Sequence, residues 1–491
     1  MGSKKVAIIG AGIAGLSLGC YLQKSGFSTE IYEANGKPGG LCTGWERDGY
    51  RIEGGLTGLW GSGPKHPFYK LYSELLDMEA LAFSSPAIKT VYDFPDGKRF
   101  EEYADLGRLE QEMIEISPED EGLIREWIAD TRKITKIYLP IEKPKELYGL
   151  SERMRIKKGK EVLLLKKWSR MTSHDFSRQF KNPMISQITE QFRTPVLMEM
   201  FYLAGLGVGA NGYPSGGASA LAEKLAEQYE SLGGTLHYFC RAQKIRVENR
   251  IAKGILFENG KSAHGDIIVS AMDGRGTLFD LLGGKFMNDQ IRSLYEKPDL
   301  TPSVIQVAIG VRQAFEDEFP MRRIILDVPH ELHDGSVQSF IEVMRFTQTV
   351  HGQKKTLFRV QMDTKFASYW WMLKKAEKER YKKEKREVAA WVADVLDSRV
   401  SPIKSDIEMM NVTTPATYIH LTGNWRGAVK GWNSKNIITD DPFYRELPEL
   451  RNFYMAGQWV QPGSGIPMAF KSARDLAQLI CKKEKKEFKP V

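Results

Sequence analysis

Apolar positions along this chain switch between two periods. Val6 to Ile9 form a continuous apolar run of strand length, Leu16, Leu18, Tyr21 and Leu22 follow at helical spacing, and "STEIYE" (28–33) returns as a second strand. That order predicts a parallel strand–helix–strand unit. From Gly212 the sequence "GYPSGGASALAEKLAEQYESLGG" carries Leu221, Leu225 and Tyr229 on one helical face and stops on glycine. "TLHYF", "KIRVE", "AKGILF" and "DIIVSA" then read as strands, with "ENGK" as a turn. "TPSVIQVAIGV", "SFIEVMRF" and "TLFRVQM" alternate as strands of a separate mixed sheet, whereas 105–200 and 365–398 read as helices with charged outer faces. Trp370, Trp371 and Trp391 in the latter are expected to face a core. "TYIHL" reads as strand-like, so His420 is expected to be a structural histidine in a strand. Near the end, "NFYMAG" is a short buried strand and "MAFKSARDLAQLI" a helix. The apolar, glycine-broken stretch "GQWVQPGSGIPMAF" (457–470) is then a strand-to-helix turn. It would present backbone N–H groups at a helix N-terminus to a partly negative oxygen.

The first turn carries chemistry. Gly10, Gly12 and Gly15 stand in GxGxxG spacing between the first strand and its helix. Gly10 suits the tight turn, Gly12 the close approach of a pyrophosphate, and Gly15 close packing of helix on strand. Glycine spacing alone is a weak signal, but Glu33 ends the second strand 18 residues after Gly15, where a carboxylate accepts the ribose hydroxyls. The order predicts a dinucleotide site, and a glutamate at that place argues against a 2′-phosphate. Gly39 and Gly40 follow Glu33 by six and seven residues. This ExxxxxGG extension resembles the FAD-binding motif of glutathione-reductase-like and amine-oxidase-like flavoproteins, which implies FAD.

Composition narrows the rest. The 491 residues are 42% hydrophobic and 27% charged, with formal net charge +8, which suits a globular chain with two or three cores. Cys20, Cys42, Cys240 and Cys481 form no CxxC pair or metal-ligand spacing, so neither a metal site nor a disulfide framework is expected. Lys4 and Lys5 before an apolar run ending "LSLGC" mimic a secretion signal, but the glycine spacing assigns that run to the dinucleotide turn. "VLMEMFYLAGLGVGA" (196–210) holds Glu199 and is shorter than a spanning helix, so no transmembrane helix is expected and the location is read as cytoplasmic. Positive charge gathers in "RMRIKKGKEVLLLKKWSR" (153–170), where leucines and Trp168 interleave with lysines. A peripheral contact with the inner membrane face and a plain surface helix both fit. The tail 482–491 reads as a solvated terminus, and no nucleic-acid module accompanies the charge.

Taken together, the N-terminal motif, "YPSGGASALAEKLAEQYESLGG", "PSVIQVAIGV", "TPATYIHLTGNWRGAVKGW" and "LRNFYMAGQWVQPGSGIPMAF" resemble the phytoene desaturase, carotenoid isomerase and retinol saturase group of FAD-dependent oxidoreductases. The resemblance implies an α/β fold. A Rossmann-like FAD-binding domain (1–85, 211–275 and 405–491) would interleave with a mixed-sheet plus helical substrate domain (86–210 and 276–404). It implies that Gly10, Gly12 and Gly15 cradle the pyrophosphate, Glu33 binds the ribose, and Gly39, Gly40 and Leu41 line the dinucleotide. "EGGLTGLWG" (53–61) would lie near the flavin ring, with Glu53 where many relatives have aspartate. Ala242 stands where a valine is usual on the adenine side. Gly457 and Gln458 would approach the ribityl chain or phosphates, and Ile466, Pro467 and Met468 would border the isoalloxazine. Trp60, Trp425, Trp432 and Trp459 are tunnel candidates, with core packing as the alternative for each. The implied substrate is a carotenoid, retinoid or related polyene lipid, and the reaction desaturation, saturation or isomerisation through hydride exchange with the flavin. No general base stands out. An amine-oxidase-like flavoprotein and a non-catalytic prenyl-lipid carrier are the alternatives.

Overall fold

The computed structural model describes residues 3–55, 58–137, 139–158, 161–192, 195–315, 319–433, 443–461, 463 and 465–490. Five parallel strands form one sheet in the order Thr235–His237, Ser28–Tyr32, Lys5–Ile9, Ile267–Ser270 and Phe453–Met455. Val6, Ile8, Ile31, Ile267 and Val269 are fully shielded from water, as strands covered on both faces require. The helix Ile13–Lys24 lies between the helices Gly217–Ser231 and Gly465–Lys483 on one side of this sheet. Three distant parts of the chain thus converge on the first helix.

A second sheet has seven strands in the order Ile407–Thr413, Ser303–Val311, Gln353–Thr364, Val337–Val350, Met321–Glu331, Ile88–Asp93 and Arg99–Tyr103. All neighbours are antiparallel except Met321–Glu331 beside Ile88–Asp93. Its outer face packs Ile305, Val307, Phe358 and Val360 against Trp370, Val392 and Leu396 of the helices Ala367–Ala376 and Lys378–Arg399. Trp370 is buried, with its indole N–H on Asp334 at 2.7 Å, while Trp371 and Trp391 pack at the margin of that core. The hairpin Gly44–Arg47 and Tyr50–Glu53 ties the sheets together. Tyr50 lies against Gly310 and donates to the Val311 carbonyl at 3.1 Å.

Three features differ from the sequence-based expectations. "TYIHL" belongs to a helix, Pro415–Thr422, not a strand. Thr414 and Thr417 form a capping box, Pro415 occupies the first turn, and Gly423 leaves the helix at φ +71°. His420 is therefore helical. The strand Ile407–Thr413, assigned above to the FAD-binding segment 405–491, pairs with Ser303–Val311 at the edge of the larger sheet. Trp168 does not join the lysines at the surface: it is 1% exposed and donates to Asp130 at 2.9 Å. The segment 153–170 otherwise lies on the helices Leu150–Lys158 and Glu161–Ser169, with Gly159 and Lys160 outside the described residues.

Candidate active site

The glycine turn is tight at Gly10 and closely packed at Gly15. Gly10 turns the chain at φ +99°, with its N–H on the Tyr32 carbonyl at 2.9 Å. A Cβ on Gly15 would stand 2.0 Å from the Gly10 carbonyl oxygen, so only glycine lets the helix sit this close to the strand. Gly12 begins the helix in extended conformation with no side-chain cap, which leaves the N–H groups of the first turn to a ligand. Gly39 donates to Ala11 at 2.8 Å and bridges Gly12, and Gly40 lies against the Gly12 Cα. The nearest atom to a Cβ on Gly12 would be 4.0 Å away, so the side of Gly12 where a side chain would project is open. Leu41 follows, half-buried.

Glu33 is buried beside this turn. Its Oε2 accepts from the Ala11 N–H at 2.9 Å, and Oε1 accepts from Asn35 at 2.9 Å (backbone) and 2.8 Å (side chain). Ionised carboxylate oxygens retain further acceptor sites, as a ribose diol needs. Ala242 opens the strand Ala242–Glu248 opposite Phe257, and the Tyr32 ring stacks on His237 at 4.7 Å beside it.

The C-terminal turn reaches the same helix. Gly457 has φ +101°, donates to the Ser472 hydroxyl at 2.9 Å, and places the position of its missing Cβ 3.3 Å from the Ala14 Cβ. Residues more than four hundred positions apart thereby share one wall. Gln458 is half-buried with its backbone against Gly431, and Ile466, Pro467 and Met468 are buried in the first turn of Gly465–Lys483. Pro462 and Ser464 lie outside the described residues.

Of the tryptophans, three come together and one does not. Trp432 and Trp459 meet edge to face at 5.6 Å, Trp425 stands 6.4 Å from each, and the Trp432 N–H donates to the Trp459 carbonyl at 3.0 Å. Trp60 is half-buried at the margin of the main core, beside His66, Phe68 and Phe201. Burial holds the His66 imidazole down at about 4, so it is neutral there.

Asp273 and the contacts of Glu53 escaped the sequence reading. Asp273, just past the strand Ile267–Ser270, accepts from the Gly276 N–H at 2.6 Å and the Trp425 N–H at 2.9 Å, and burial raises its carboxyl to about 6. Glu53 accepts from the Ser219 N–H at 3.1 Å and the Ser219 hydroxyl at 2.6 Å, so its carboxylate serves the start of the helix Gly217–Ser231. Its backbone carbonyl accepts from Gln306 at 3.0 Å, and the next carbonyl, Gly54, from the Tyr418 hydroxyl at 3.1 Å. Gly55 then stands exposed, with no atom within 4 Å of a Cβ position; Leu56 and Thr57 lie outside the described residues. The proximity of Asp273 to a glycine after a buried strand was the one sequence signal available for these residues.

A parallel sheet, a glycine turn at a helix N-terminus and a buried glutamate after the second strand define a dinucleotide-binding protein. The chain belongs to the family described as flavin containing amine oxidoreductase, whose sequence profile matches residues 13–481. The cofactor is FAD, and the open face at Gly12 with the Glu33 carboxylate fits it. The chain is 23% identical to 1-hydroxycarotenoid 3,4-desaturase of Flavobacterium sp. (strain P99-3), over 97% of this chain and 99% of the relative. It is 22% identical to phytoene desaturase (lycopene-forming) of Pseudescherichia vulneris, again over 97% and 99%. In fold it is similar to cyclohexylamine oxidase from Brevibacterium oxydans IH-35A, with TM-score 0.57 at 14% identity, covering 98% of this chain and 100% of that one.

Proposed function

We propose that this flavoenzyme acts on a long unsaturated lipid, a carotenoid, retinoid or related polyene, by desaturation, saturation or cis/trans isomerisation. The observation that carries this reading is the junction of Gly457 with Ala14, which brings the C-terminal turn against the helix that follows the glycine turn. The two carotenoid desaturases it resembles share nearly the full length of the chain. When bound, FAD supplies hydride exchange at its N5 with a C–H next to conjugation. The chain's residues then have to bind, orient and exclude water. Gly10, Gly12 and Gly15 at the first helix N-terminus would hold the pyrophosphate and Glu33 the ribose, with Gly39, Gly40, Leu41 and Ala242 beside the dinucleotide. Gly457 and Gln458 would hold the ribityl chain or phosphates, and Ile466, Pro467 and Met468 would border the ring. Trp425, Trp432, Trp459 and Trp60 are assigned to apolar walls of the substrate route, where exclusion of water strengthens every polar contact.

The FAD-binding domain takes 1–85, 211–275 and the chain after Thr413, and the substrate domain the remainder. A cytoplasmic enzyme touching the inner membrane face suits such a substrate. Leu150, Met154 and Leu163 are 82%, 56% and 76% exposed on the helices Leu150–Lys158 and Glu161–Ser169, beside the exposed Arg153, Lys166 and Arg170. Among the described residues no helix is long and apolar enough to cross a membrane. The test is chromatography of products from a host making phytoene, lycopene isomers and retinoids. A new polyene product is expected, and an unchanged profile for all three classes contradicts the reading. An amine substrate is the second reading, favoured by the fold of cyclohexylamine oxidase. The intact glycine cradle speaks against a carrier without cofactor.

A further inference from the structure

The inner face of the seven-stranded sheet is polar although it is buried. Gln306, Gln361, Glu342, Arg323 and Tyr92 are lateral partners on five successive strands, so they form one row pointing to the same side. All five are buried. The Gln361 side-chain N–H donates to Gln306 at 3.0 Å, and Gln306 donates to the Glu53 carbonyl at 3.0 Å, so the row ends at the turn leading to the open Gly55. At the other end Arg323 donates to Glu342 at 3.2 Å and to the Tyr92 hydroxyl at 3.1 Å. The opposite face of the same strands is apolar throughout the helix contact. The usual polarity of a sheet facing water is therefore turned inward, toward the FAD-binding side.

Arg359 sits beside this row, between Ala308 and Met344 and two residues from Gln361, and is 1% exposed. Its guanidinium meets the Met344 sulfur at 2.9 Å, lies 5.1 Å from the Phe346 ring centroid and hydrogen-bonds the Tyr213 phenol. Met344, Phe346 and Tyr213 each keep part of their surface accessible although they lie between the two layers, with the Tyr213 and Phe346 rings 5.4 Å apart. They set sulfur and aromatic surface around the guanidinium. A hydrocarbon gains only apolar contact from such surroundings, whereas a carboxylate also meets the planar donor fork of arginine.

We propose that the substrate is an oxygenated polyene, a long-chain unsaturated carboxylic acid, whose carboxylate docks on Arg359 while the Gln306–Gln361 pair orients its path toward Gly55. This rests on the polyene reading above and names the substrate class within it.

The test uses FAD-loaded full-length protein and three probes: all-trans-retinoic acid, its methyl ester and lycopene. Binding is read from the perturbation of the visible flavin spectrum, and turnover from chromatography. The acid is expected to bind at least about tenfold tighter than the ester. Arg359→Met is expected to remove that ratio, and Arg359→Lys to keep part of it, because lysine retains the charge without the fork. Should Arg359→Met lose FAD, the wild-type acid-to-ester ratio and Arg359→Lys carry the test. Equal binding of acid and ester by the wild type, or an undiminished ratio in an FAD-loaded Arg359→Met, overturns the proposal. Turnover of lycopene with no acid preference overturns this inference alone. No response to any of the three overturns the polyene reading with it.

Discussion

Gly12→Ala and Gly15→Ala, three residues apart in one turn, are expected to fail in opposite ways. At Gly15 an added Cβ would lie 2.0 Å from the Gly10 carbonyl oxygen and 3.3 Å from the Ala271 Cβ. The oxygen is backbone in a tight turn held to the Tyr32 carbonyl and cannot swing aside, so the helix must back off by more than 1 Å from contacts on both faces, roughly the displacement that overpacking penalises by about 1–3 kcal/mol or more. At Gly12 the backbone is φ −74°, ψ 176°, which alanine adopts freely, and the nearest atom to the new Cβ is 4.0 Å away. The apoprotein should therefore be unchanged or gain up to about 1 kcal/mol from the stiffer unfolded chain. Its added methyl fills the space a pyrophosphate needs, and a tenfold or greater loss of FAD affinity, about 1.4 kcal/mol, is expected. The assay is thermal unfolding of apoprotein with and without FAD, together with FAD titration. Ligand at a hundred times its Kd stabilises by about 2.7 kcal/mol. Gly15→Ala should lower the apo transition, and Gly12→Ala should leave it in place while losing much of the rise with FAD. An apo Gly15→Ala as stable as wild type, or Gly12→Ala binding FAD normally, refutes the reasoning.

Other outcomes follow from single contacts. Glu33→Ala strands the Ala11 N–H and should cost about 1–3 kcal/mol in addition to FAD affinity, while Glu33→Gln should keep most of the stability; chemical denaturation separates them. Asp273 holds its proton more tightly in the folded state, with its carboxyl at about 6. Its contribution to stability is present below about pH 4, the ordinary aspartate range, and is lost as pH rises through about 6. Tryptophan fluorescence from the adjoining Trp425 cluster should show a step there that Asp273→Asn removes. Leu150→Glu with Leu163→Glu should abolish sedimentation with anionic liposomes at low salt while changing stability by no more than about 0.5 kcal/mol per site. Full sedimentation of the double variant contradicts the membrane contact.

What could be read along the chain was set by local demands. The cradle at Gly10, Gly12 and Gly15 was legible because a tight turn and a close helix each restrict one residue at a fixed spacing. The strands 303–311 and 353–364 were legible because side chains alternate with period two. The same alternation concealed that their polar face is interior, since only the tertiary arrangement covers it. Glu53 could not be recognised as the partner of Ser219, nor Gln306 as the partner of the Glu53 carbonyl, because those pairs form between residues 166 and 253 positions apart. At His420 the β-branched neighbours outweighed Thr414, Pro415 and Gly423, which are helix start and stop signals and did decide the structure. Trp168 shows the converse: lysines flank it in sequence, but the turn of the helix carries its ring inward to Asp130.

The most direct test of the central claim is anaerobic mixing of the purified FAD-loaded protein with polyenes in one arm and simple amines in the other, following the visible flavin absorbance. Loss of that absorbance with a polyene, and its persistence with amines, is the predicted result for a desaturating enzyme. For saturation or isomerisation, the prediction is that chemically reduced protein converts the polyene. Bleaching by amines alone, with no polyene converted in either redox state, contradicts the account.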